Sequence, residues 1–263
     1  MHSKTAASFN GSLISTNGPL DVYTHFASYT SLPDVVTKFY GASGTLDVYE
    51  FSSASDGILS TTLTVANYAE PHADTLNEVR AGWNIQPSYY GDNKTHFIIG
   101  WTADGYVSTG CFDLKCNGFV LVKNPPIAPG DTIPGKSKIS FKIFKSKDSG
   151  DWWLHFAHAG EKFAPVGYWP RNLFNNLAAH ANHISWGGYT GSLSGTRSPP
   201  MGNGQWPGKQ SATFQDVQFV DNEGSAYGVF PTPGVRPLIT HKKCYQVSEF
   251  MSVKFAYGGP GGC

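Results

Sequence analysis

A chain of 263 residues can bury a substantial core, and its low charge (14%), matching aromatic content (14%), 30 glycines and 17 prolines suit an extracellular all-β protein. The formal net charge is zero and no basic run exceeds Lys242-Lys243, which argues against nucleic acid or anionic membrane as a partner. No apolar run approaches the roughly 18 residues that span a bilayer.

The opening MHSKTAASFN lacks the apolar stretch of a secretory leader, so the chain reads as a mature domain carrying a start methionine. Residues 1–34 are expected to form an N-terminal segment, loosely ordered at its start, ahead of one domain over 35–263. Short alternating or β-branched segments then recur between turns: TLDVYEF (45–51), STTLTVAN (60–67), THFIIGWTA (95–103), FVLVKN (119–124), ISFKIFK (139–145), WWLHFAH (152–158), ATFQDVQFV (212–220) and SVKFAY (252–257). Such spacing predicts an all-β sandwich or jelly roll. NEVRAGWNI adds a strand whose parity puts Val79, Ala81, Trp83 and Ile85 on one face. Glu78, Arg80, Gly82 and Asn84 take the other. Only PRNLFNNLAAHA (170–181) predicts a helix, with Leu173, Phe174 and Leu177 on one side after a first-turn proline. The Gly/Ser/Pro-rich stretch 192–210 is longer than an ordinary connection and reads as a candidate flap.

Four cysteines allow three pairings, of which the local one, Cys111 with Cys116 and Cys244 with Cys263, is the simplest. Two glycosylation sequons occur, at Asn10 and at Asn93. Together with the low charge, these features point to a secreted protein. No cofactor or metal is expected. His155 and His158 fall on opposite faces of a strand, and His180 and His183 would share a helical face without a third ligand beside them. No Gly-x-Ser-x-Gly elbow is present. Residues 162–215 contain no Asp or Glu, so a paired-carboxylate mechanism drawing on this half of the chain lacks its second acid.

Residues 81–120, AGWNIQPSYYGDNKTHFIIGWTADGYVSTGCFDLKCNGFV, closely resemble the neprosin family of secreted proteins. FYGASGTLDVY (39–49), GYWPRNLF (167–174), ISWGGY (184–189), MGNGQW (201–206) and FAYGGPGGC (255–263) extend the match in the right order. The resemblance implies a single sandwich of two bent antiparallel sheets with a concave cleft, and disulfides Cys111–Cys116 and Cys244–Cys263. It also implies a glutamic endopeptidase that cuts after proline. Two glutamates would face each other across the cleft, one just before Ala-Gly-Trp and one just after Trp-Gly-Gly.

Those two positions are Arg80 and Tyr189 here. Arginine stays protonated, and a phenol near pKa 10 is a poor stand-in for an acid–base carboxylate. The expected function is therefore a secreted neprosin-like protein without the glutamic dyad, whose cleft takes a peptide or small molecule. Trp83, Tyr106, Trp186 and Gln205 are the expected ligand-binding residues, with Arg80, Glu78 and Tyr189 beside them. One alternative is another enzyme, with Tyr189 as acid, Arg80 as clamp and His180 or His183 as proton carrier. A second keeps the peptidase with Glu78 as a displaced acid, although Glu78 could instead pair with Arg80. A monomer is expected.

Overall fold

The computed structural model describes residues 14–15, 18–19, 22–32, 38–51, 57–69, 73–229 and 234–263. Two large antiparallel sheets face each other. The first has seven strands in the order Val235–Ile239, Val22–Ser31, His183–Leu193, Ile58–Asn67, Asn77–Ile85, His96–Thr102 and Cys111–Phe112. The second has nine. Its path runs Gln246–Val247, Phe255–Gly258, Ala212–Val220, Gly41–Asp47, Lys138–Lys145, Trp152–His158, Ala164–Trp169 and Val120–Leu121, with Ala226–Gly228 added beside Ala212–Val220. Ile14–Ser15 and Gly18–Pro19 form a separate two-stranded pair.

Strand parity decides what fills the space between the sheets. Val79, Ala81, Trp83 and Ile85 point inward and are buried, as are Ile184 and Trp186. The two tryptophans pin one sheet to the other. The Trp83 indole N–H donates to the Asp47 carbonyl (2.9 Å) and that of Trp186 to the Ser43 carbonyl (3.0 Å). Each thus buries a large apolar ring while satisfying its one donor. Phe97 stacks on Phe141 across the same layer, ring centres 5.5 Å apart.

The sandwich expected from the sequence is present, with three corrections. Residues 170–181 form no α-helix. They make two single-turn 3-10 segments, Arg171–Leu173 and Asn176–Ala178, between which the Asn77 side-chain oxygen accepts the backbone N–H of Asn175 (2.8 Å). Phe174 and Leu177 still bury, so apolar spacing identified an inward face but not the helix. The one short α-helix among the described residues is Pro87–Tyr90, ended by Gly91 with φ of 82°. Second, the sandwich begins before residue 35. Val22–Ser31 pairs along nine residues with His183–Leu193 and lies one strand in from the edge of the seven-stranded sheet. Third, 192–210 is no free flap. Leu193 still belongs to a strand, Met201 is fully buried and bridges Gly259, and the Ser198 N–H donates to the Cys263 carbonyl (3.3 Å).

Both disulfides, Cys111–Cys116 and Cys244–Cys263, are formed. Among the described residues, no helix is long and apolar enough to cross a membrane. Asn10 lies outside the described residues.

Candidate functional site

The face of the seven-stranded sheet turned away from its partner sheet collects the polar side of Asn77–Ile85. Register sets Arg80 opposite Gly100, which in turn pairs with Phe112. A Cβ on Gly100 would lie 2.9 Å from the Phe112 ring and 3.3 Å from Arg80 Cγ. The missing side chain is what lets both groups lie over this strand.

Arg80 and Glu78 form a buried ion pair, Arg80 Nε donating to Glu78 Oε1. Tyr106 adds its hydroxyl to the same oxygen at 3.2 Å. Three rings surround the guanidinium: its central carbon lies 5.7 Å from the Tyr106 centroid, 5.9 Å from Phe112 and 5.7 Å from Tyr189. Tyr106 and Phe112 stack nearly parallel at 5.4 Å. Burial works against the charge on Arg80, and the Glu78 carboxylate, with smaller contributions from Tyr106 and Tyr189, more than offsets it, holding the guanidinium pKa above its ordinary value. Burial likewise drives the Tyr106 phenol well above its usual range, with Arg80 pulling it back and Glu78 pushing it up. Arg80 is a permanent cation and Tyr106 stays neutral.

A second acid lies close by. Asp113 follows the short Cys111–Phe112 strand, is buried, and accepts hydrogen bonds from the Ile99 N–H (3.2 Å) and the Tyr90 hydroxyl (3.0 Å). Burial pushes its carboxyl up to about 6, against the hydrogen bonds from Ile99 and Tyr90 that favour its ionised form. Tyr90 stacks on His96 at 3.9 Å and is raised by burial and then by Asp113, with Tyr189 close enough to add to the shift. Phe112, Asp113 and Tyr90 were not singled out from the sequence. The available signal was the local cysteine pair, which brackets Phe112 and Asp113 and returns that loop to the strand beside Arg80.

The structure brings together Arg80, Glu78, Tyr106 and Tyr189. It does not bring the other expected residues to them. Trp83 and Trp186 sit on the opposite faces of their strands, fully buried between the sheets, and cannot line a cleft beside Arg80. Gln205 is exposed on the loop that runs beside Gly258, next to the other sheet. His180 and His183 share no helical face, because His180 ends the irregular turn and His183 opens a strand. His183 packs edge-on against Tyr68 at 5.4 Å, and burial followed by Arg236 lowers it to about 4. His180 is lowered by burial and by Lys38.

The two-sheet sandwich is similar in fold to solved glutamic peptidases. Scytalido-glutamic peptidase with a peptide-based transition-state analogue is similar at a TM-score of 0.51 and 10% identity, over 91% of this chain and 99% of that one. The same peptidase with a transition-state analogue inhibitor gives 0.51 and 9% over the same shares. At such identity the likeness concerns the fold alone. A family model described as Neprosin matches residues 58–260. The chain belongs to the neprosin family.

Proposed function

We propose that this protein acts outside the cell as a peptide-binding member of the neprosin family that does not cleave what it binds. The observation that carries this reading is the occupancy of the Arg80 position. Activating water by a glutamic mechanism needs a carboxylate base with a free lone pair, facing a second acid. Here the position is a guanidinium, ion-paired to Glu78 and ringed by Tyr106, Phe112 and Tyr189. Glu78 Oε1 already accepts from Arg80 and from Tyr106, which leaves it poorly suited to serve as a displaced base. Half-buried Tyr189 offers a ring face and a hydroxyl beside a balanced charge pair, a surface suited to proline rings and peptide amides. The histidine-assisted alternative is less well supported, since His183 is held in its neutral form and packed on Tyr68.

The test combines binding with cleavage. Proline-containing peptides are titrated against the parent and Tyr189→Ala, and a peptide library is digested from pH 3 to 7. The parent is expected to bind without cutting, and Tyr189→Ala to bind more weakly. Arg80→Glu with Tyr189→Glu restores both family carboxylates. Glu78→Gln is added so that a third acid is not stranded beside them. That triple variant should cut weakly at acid pH while the single variants stay inert. Cleavage by the parent would overturn the proposal and turn attention to Glu78 and Asp113. Absence of peptide binding by the folded parent would also refute it.

A further inference from the structure

Beside the turn that follows the Pro87–Tyr90 helix lies a solvent-open cavity of about 750 Å³, lined by Tyr49, Glu50, Phe51, Asp92, Asn93, Lys94 and Lys136. Its size is within the roughly 300–1,000 Å³ of small-ligand sites. We infer that Asn93 carries an N-linked glycan whose first sugars occupy this cavity, packing on the rings of Tyr49 and Phe51. Four observations converge. Asn93-Lys-Thr is an acceptor sequence, Asn93 is exposed, and Asn93 itself forms part of the cavity wall. The lining also holds two acids and two lysines, a balanced set of hydrogen-bonding groups that matches an uncharged, hydroxyl-rich sugar.

The walls are fixed before any sugar arrives. Glu50 Oε1 accepts the Gly135 N–H (2.9 Å), and Asp92 Oδ1 accepts the Lys94 N–H (2.9 Å) while pairing with His96 Nε2 (2.9 Å). A covalent tether supplies a high effective concentration, so weak ring and hydroxyl contacts suffice to seat the sugar. In the transfer, Asn93 Nδ2 bonds to the anomeric carbon of a lipid diphosphate-linked oligosaccharide. The bond from that carbon to the diphosphate oxygen breaks, the lipid diphosphate leaves, and the amide gives up one proton. The hydroxyl of Thr95, buried in the fold, donates to the Tyr49 carbonyl (2.5 Å). Transfer must therefore precede closure of this corner. The seated glycan then braces the turn that carries Tyr90 toward Asp113.

The protein is secreted from a eukaryotic host, and the Asn93 peptide is examined by mass spectrometry after enzymatic deglycosylation in heavy-oxygen water. Occupancy at Asn93 is expected, with one glycan lost in Asn93→Gln. Phe51→Ala and, separately, Lys136→Gln should keep the glycan but speed its removal from the native protein several-fold. Unmodified Asn93 in the secreted protein would overturn the proposal. So would occupancy with equal removal rates in parent and both folded variants, since the glycan would then be unseated. Neither result bears on peptide binding beside Arg80.

Discussion

Removing the Glu78 carboxylate should expose how completely Arg80 depends on it. The Glu78 side chain is 1% exposed and that of Arg80 10%, so Glu78→Ala strands a cation in a largely desolvated place. Breaking one half of a buried pair costs about 3–5 kcal/mol. Arg80 cannot escape this by losing its proton. Unfolding entropy of roughly 2.1 cal/mol/K per residue near 60 °C, over 263 residues, converts that cost to a fall in Tm of about 5–9 °C. Replacing both partners, Glu78→Leu with Arg80→Met, removes the charge and its penalty together and should cost less than Glu78→Ala alone. Thermal unfolding of the three proteins, followed by near-ultraviolet circular dichroism, supplies the comparison. A fall below about 2 °C for Glu78→Ala, near 1 kcal/mol on the same conversion, would show that water solvates Arg80 and that the ring cage does not isolate it.

Asp113 makes stability depend on pH. Its carboxyl titrates near 6 when folded and near 3.8 when unfolded, so between those values the folded chain holds a proton that the unfolded chain has released. Stability therefore falls as pH rises from about 4 to 6, by roughly 2–3 kcal/mol in full. The surrounding Tyr89, Tyr90, Lys115 and His96 remain in Asp113→Asn, which cannot ionise. Its Tm advantage over the parent should grow between pH 4 and 7, and a constant difference would refute the assignment. Gly100→Ala forces a methyl against the Phe112 ring at 2.9 Å. It should cost about 1–3 kcal/mol by overpacking and weaken peptide binding through the displaced rings. An unchanged Tm and affinity would mean that Gly100 does not hold the cage open.

Much of the sandwich was legible because its strands obey a two-residue period over a buried face. Val79, Ala81 and Trp83 alternate with Glu78, Arg80 and Gly82, and the core forms where that parity says. The same rule was sufficient to put Trp83 in the core and to set Trp186 on the face opposite Tyr189, three residues along. Expecting both tryptophans beside Arg80 went against it. Val22–Ser31 and much of His183–Leu193 were harder to see. Their Ser, Thr and Gly positions give little apolar alternation, and Gly187 is needed where a Cβ would lie 2.4 Å from the Ser28 backbone. The helix expected over 170–181 failed because apolar spacing cannot register an asparagine 98 residues away that captures the Asn175 N–H.

The chain's own order of residues determined the family, the strand parity and the presence of an arginine just before Ala-Gly-Trp and a tyrosine just after Trp-Gly-Gly. Local periodicity and short motifs carry that information. Only the tertiary structure decided what Arg80 does there. Its neutralising carboxylate is a neighbour two residues away, but the rings that enclose it come from Tyr106, Phe112 and Tyr189. Hydrogen-bond register between distant strands assembles that cage, and nothing in residues 77–85 alone encodes which rings will meet the guanidinium.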